Sequence, residues 1–172
     1  PAGSDQHGLI KKETTVEISI PAGVEDGMRL RVAGEGEAGL AGGRPGDLYV
    51  VISVAKHPVF EREGPNLNCE VPITFTQAAL GSNVDVPTLS GKVNLKISEG
   101  TQSGKILRLR GKGLPSLRGS KKGDQFVRIF VEVPTKLSSK QRKIMQQFAD
   151  ETNEDVSPVT KGFIEKLRDL FE

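Results

Sequence analysis

The sequence predicts an all-β chain, made of two tandem small β-sandwich-like domains of one architecture and a C-terminal helical segment. Three observations carry that prediction. The chain repeats itself without a gap at a spacing of 77 residues, and Val16–Val54 laid on Val93–Val131 gives 15 identities in 39 positions. The shared positions include Gly23/Gly100, Gly27/Gly104, Gly34/Gly111, Gly36/Gly113, Gly46/Gly123 and Asp47/Asp124. Glycines in register mark turns that need positive φ or a close backbone approach, so both copies share one chain path. Solenoid units usually repeat every ~20–50 residues, so this longer period reads as two domains. Apolar and polar residues also alternate over short runs, as half-buried strands require. Finally, aromatic residues make up 5%, Trp is absent, and there are 20 glycines and 10 prolines in 172 residues. That composition suits short strands and turns better than a helical bundle.

The elements follow in order. Residues 1–12 carry no periodicity and read as a tail. Val16, Ile18 and Ile20 alternate with Glu17 and Ser19, a strand ended by Pro21-Ala22-Gly23. Met28, Leu30 and Val32 form a second strand, and Gly34–Gly46 is a glycine-rich loop. Asp47–Val54 is almost continuously apolar, which predicts a strand covered on both faces. His57-Pro58 reads as a turn. Val71, Ile73 and Phe75 make a strand, Thr76–Leu80 a helical turn closed by Gly81, and Val84 with Val86 another strand. The second copy then repeats the first: Val93–Ile97, Ile106–Leu109, a basic loop Gly111–Gly123, and Phe126–Val133. After Pro134, a helix is expected over Lys140–Ala149 with Ser138 or Ser139 as its N-cap. A polar linker over Asp150–Thr160 leads to an amphipathic helix over Gly162–Glu172. The expected division is a tail at 1–12, a first β-domain at 13–66, a second at 67–136, and a helical segment with its linker at 137–172.

The register sharpens this. The stretch Asn68–Thr88 ahead of the second copy has no patterned counterpart ahead of the first. Copy one is therefore expected to be N-terminally truncated, lacking its opening strand, helix and second strand. An incomplete sheet exposes edge N–H and C=O groups, which favours self-association.

Charge separates the two copies. Copy one has three arginines against six acidic residues; copy two has nine Lys/Arg against Glu99 and Asp124. One backbone plan with opposite surfaces implies different contacts. No apolar run approaches the ~18–20 residues of a membrane span. With one cysteine, Cys69, and only His7 and His57, neither an internal disulfide nor a zinc site is expected. Gly34–Gly39 matches G-x-G-x-x-G, but the glycine- and proline-containing run that follows cannot be the helix a dinucleotide site needs. No nucleophile or acid–base constellation is visible, so no enzyme is expected. The basic segment 105–122 could meet nucleic acid or an acidic protein segment, or simply be solvated. Base-stacking aromatics are not evident, since Phe126 and Phe130 lie in an expected core strand, so nucleic acid is disfavoured. Phe60 reads either as core filler or as the wall of an apolar groove. The last helix has a mixed polar face and suits docking on protein better than on membrane.

These strings together resemble the C-terminal half of bacterial- or organelle-type DnaJ, the J-domain co-chaperone family. They are Ile20–Gly27, Gly34–Gly39, Pro45–Val50, His57–Arg62, Gln77–Gly81, Val86–Leu89, Glu99–Gln102, Leu109–Gly113 and Gly123–Gln125, in that order. The resemblance runs from about Lys12 to Phe148, and the last helix resembles the tail of some members. It implies two tandem β-domains that hold unfolded protein clients, a C-terminal dimerisation element, and delivery to a DnaK-type chaperone. It also implies a role in protein folding and the stress response, in a bacterial cytoplasm or an organelle matrix or stroma. An extended client adds a strand to a sheet edge while an apolar pocket takes one of its side chains. For that groove the resemblance points to Phe60, with Leu30 and Val32 as neighbours. For chain–chain contact it points to Ile144, Met145, Phe148, Phe163, Ile164 and Leu167. The chain shows no His-Pro-Asp tripeptide or J-domain, so no stimulation of a partner ATPase is expected. It also lacks the C-x-x-C-x-G-x-G repeats, so the family's zinc sites are absent and no cofactor is expected. Two alternatives stay open: an assembly segment that only self-associates, and nucleic-acid binding through the loop 105–122.

Overall fold

The structure, a computed structural model, describes residues 13–39, 43–117, 119, 121–152 and 156–171. The expected tail at 1–12 lies outside the described residues. Two compact units divide the chain, one through Val131 and one from Glu132 onward.

The first unit opens with a stretch at Val16–Ile20 that forms no strand and pairs with nothing among the described residues. Its alternation is that of a strand, but a strand is made by its partner, and none lies among the described residues. A hairpin follows: β1 (Arg29–Val32) pairs antiparallel with β2 (Leu48–Val51). Next come β3 (Glu61–Glu63) and β4 (Asn66–Thr74), paired antiparallel around Gly64, then the short helix α1 (Phe75–Leu80). Thr74 caps α1: its side chain accepts from the Gln77 N–H, while the Gln77 side chain reaches back to the Thr74 N–H. That reciprocal pair satisfies two otherwise orphaned donors. β5 (Ser82–Thr88) and β6 (Gly91–Ile97) form a hairpin, and β7 (Ile106–Leu109) pairs with β8 (Gln125–Glu132). The resulting sheets are β1-β2, β3-β4-β8-β7 and β5-β6.

The core lies between the four-stranded sheet and the β5-β6 hairpin. Cys69 and Ile73 of β4, Ala78 of α1, Val86 of β5, Ile97 of β6, and Val127 and Ile129 of β8 form one buried cluster. Fully burying such a side chain stabilises by roughly 1.5–3 kcal/mol. Every buried apolar residue among those described lies between Leu67 and Ile129, so the core belongs to the second repeat together with the stretch that precedes it. The first repeat is a two-stranded hairpin without one. β2 is accordingly not covered on both faces: Tyr49 and Val51 are about 60% exposed, at 59% and 61%.

The repeat holds bond for bond. Arg29↔Val51 in the first hairpin matches Ile106↔Arg128 in the second. The Gly27 N–H donates to Ile52 O at 2.9 Å, and the Gly104 N–H to Ile129 O at 2.7 Å. Gly36 N–H to Gly46 O (2.9 Å) matches Gly113 N–H to Gly123 O (2.8 Å). The Asp47 carboxylate accepts from the Gly34 N–H at 3.0 Å and pairs with Arg31, as Asp124 accepts from Gly111 at 2.7 Å and pairs with Arg108. Gly34 and Gly111 both sit at positive φ, 76° and 66°, where a side chain is disfavoured.

The second unit contains α2 (Ser139–Glu151) and α3 (Pro158–Phe171). Ser138 caps α2 with the same reciprocal device, accepting from Gln141 N–H. α3 begins four residues before the expected Gly162, with a proline at its first position, where the missing N–H costs nothing.

Candidate functional site

A groove of about 930 Å³ opens in the first unit, between the repeats. One wall is the Ile20–Val24 turn with Asp26; another is the stretch Val54–His57 that leaves β2. Phe60, Glu61 and Arg62 face it from β3 and its approach, and Leu67, Leu89 and Leu114 complete the apolar lining. Ile20 and Leu89 are more than half exposed, so apolar surface here is open to a ligand.

Phe60 is placed by chemistry that the sequence only hints at. The His57 ring nitrogen Nδ1 accepts main-chain N–H bonds from Val59 at 3.1 Å and Phe60 at 3.2 Å, closing the His-Pro turn. The two rings then meet at a centroid distance of 5.0 Å. Phe60 is half-buried and packs against the core of the second repeat, so the two readings of it, filler and groove wall, both describe it. Leu30 and Val32 sit elsewhere: they are half-buried on the inner side of β1, opposite Val50 and Leu48. Their register equivalents, Leu107 and Leu109, pack against the second repeat's core. No equivalent cover lies over the first hairpin among the described residues.

Arg62 is the residue that sequence reasoning missed. Half-buried on β3, it donates through Nη1 to Val24 O at 2.5 Å, through Nη2 to Gly23 O at 2.9 Å, and through Nε to Gly64 O at 2.8 Å. The Glu25 carboxylate lies 3.9 Å from the guanidinium. Strand alternation was the available signal. Glu61 and Glu63 point out and the residue between them points in.

A second cleft, of about 590 Å³, crosses the outer face of the four-stranded sheet. It is lined by Glu61, Glu63 and Glu70 on β3 and β4, and by Ile106, Phe126 and Arg128 on β7 and β8. β8 is a core strand as expected, but its two faces divide. Gln125, Val127 and Ile129 face the core, while Phe126 and Phe130 take the outer face. The packing space under β5-β6 is filled by β-branched side chains and a glutamine, leaving the larger rings outside. The three carboxylates outnumber Arg128 in this cleft, which opposes a polyanion.

Electrostatic shifts are local. The Asp47 carboxyl is held below its ordinary 3.8, mainly by the Gly34 N–H and then by Arg31, with burial opposing. Burial raises the Cys69 thiol, against a hydrogen bond from Gln125, so it stays neutral and packs as a small apolar group. No group of side chains that could hold a metal ion occurs among the described residues, and no helix there is long and apolar enough to cross a membrane. In the second unit Ile144 and Phe148 are about half exposed, Phe163 more so and Leu167 somewhat less, with Met145 and Ile164 partly covered. Both helices thus carry apolar faces open to a partner.

Comparison with known proteins adds the following. A family model described as DnaJ C terminal domain matches residues 5–134, and one described as Chaperone protein DnaJ C-terminal region matches residues 140–172. The chain is 52% identical over 162 residues to the Chaperone protein DnaJ of Syntrophotalea carbinolica, covering 94% of this chain and 43% of that protein. It is 52% identical over 164 residues to that of Opitutus terrae (95% and 43%), and 48% identical over 163 residues to that of Maricaulis maris (94% and 41%). The chain spans less than half the length of these relatives.

Proposed function

Because the chain belongs to the family of DnaJ C terminal domains, we propose that it holds segments of non-native polypeptide as the client-binding and dimerising part of a co-chaperone. The family is one of chaperones and not of enzymes. The observation that supports this reading best is the open groove of about 930 Å³ with Phe60 in its wall. An extended client lays one apolar side chain against Phe60 and its main chain along neighbouring backbone. Main-chain hydrogen bonds carry no sequence information, so many clients are accepted. Leu30 and Val32, with Leu48 and Val50, offer a second half-open apolar surface that the client covers. A DnaK-type chaperone receives the client. Ile144, Met145, Phe148, Phe163, Ile164 and Leu167 join two chains, which places two grooves on one assembly.

The test is suppression of aggregation of a chemically denatured protein at micromolar concentration. The wild-type chain protects, and Phe60→Ala loses most of that protection while remaining folded. A chain that protects nothing yet is dimeric by light scattering sinks client binding and leaves self-association. That second reading is favoured by the outer edge of β2, which pairs with no strand among the described residues, and by the exposed apolar faces of α2 and α3.

A further inference from the structure

We infer that Arg62 is a positioning residue that sets the width of the groove, and through it the size of the side chain the groove accepts. The inference rests on the groove being the client site and names what fixes its shape. Phe60 lies beyond the first repeat and the Ile20–Val24 turn near its start, separated along the chain by the whole β1-β2 hairpin. Nothing in the local sequence of either holds them at a given distance. Arg62 does. It stands two residues from Phe60 on β3, and its guanidinium takes the carbonyls of Gly23 and Val24 in the opposite wall at 2.9 and 2.5 Å.

The geometry of the fork is what matters. Its third donor, Nε, is spent on Gly64 O at 2.8 Å, the turn between β3 and β4. One planar group therefore ties the wall to the hairpin at three points, and charge-assisted bonds of this kind are short and directional. Lysine carries the same charge as a single point and cannot make the three contacts together. On its far side the turn backs closely onto the second loop, since a Cβ at Gly23 would lie 2.2 Å from Pro115 O. The turn is pressed between the Pro115 backbone and the Arg62 fork, and the groove inherits its width from both.

The experiment uses the full chain and three fluorescein-labelled peptides of alternating Leu and Ser, identical except for Ala, Leu or Phe at the centre. Anisotropy gives the affinities, and hydrogen–deuterium exchange reads residues 20–27 without any peptide. For Arg62→Lys we expect faster exchange across Gly23–Gly27, about tenfold weaker binding, and loss of the wild-type ranking among the three peptides. Glu25→Gln, which removes only the carboxylate facing the guanidinium, moves both readouts the same way by less, and decides the matter if Arg62→Lys does not fold. Unchanged exchange in a folded Arg62→Lys overturns the clasp whether or not peptide binds. Faster exchange with an unchanged ranking overturns its role in selection. If the wild-type chain binds none of the peptides, the client-groove reading falls, and with it the selection role, while the exchange data still judge the clasp.

Discussion

Gly113 has no room for a side chain. A Cβ there would lie 2.6 Å from both Gly123 C and Pro65 O, closer than real Cβ contacts come. Gly119, six residues on in the same loop, faces open space. Gly113→Ala should therefore cost about 1–3 kcal/mol by forcing the loop off the start of β4. Gly119→Ala should stay within about 0.5 kcal/mol, both read from urea midpoints. Asp47 supplies a pH dependence. Its folded carboxyl titrates below the ordinary 3.8, so the stability it contributes is complete above that value and is lost as pH falls through the lower one. The urea midpoint should fall more steeply below pH 4 in the wild type than in Asp47→Asn. At this scale the sequence was read well where backbone demanded one residue type, as at the glycines in register. It was read poorly where a residue's job was set by a distant segment. Arg62 looks like part of a solvated charge run until the carbonyls 38 and 39 positions away come into view.

The elements were legible in proportion to how local their causes are. The sequence predicts α1 from Thr76 with Phe75 still in the strand; the Thr74–Gln77 capping pair, local to four residues, sets its start one residue earlier and supports its six-residue length. Thr74→Ala should cost about 1 kcal/mol, seen as a lower thermal midpoint. β8 shows the opposite case. Its alternation is plain, yet both of its faces carry large apolar groups, and period two alone cannot say which face meets a core. Val16–Ile20 failed for another reason. Alternation describes which side of a strand would be buried but not whether a neighbouring strand is there to pair with it, and here none is among the described residues. The groove was partly legible, through Phe60; its shape was not, because its walls come from both repeats.

For the whole molecule, stability and assembly should separate. Ile129 is fully buried in the core of the first unit, so Ile129→Ala should cost about 2–5 kcal/mol. If the exposed faces of α2 and α3 join two chains, Phe163→Glu should halve the mass measured by light scattering while leaving the unfolding of the first unit unchanged. The hydrogen-bonded frame common to both hairpins reaches further. Each frame closes its loop with the same glycine pair, and residues 35–45 and 112–122 have equal length between identical ends. The frames match, but the second loop also carries Leu114 of the groove lining and Pro115 against Gly23. Exchanging residues 112–122 for 35–45 with Leu114 and Pro115 kept should reverse the local charge without disturbing a strand. Whatever binding the basic segment performs would then be separable from the scaffold that presents it.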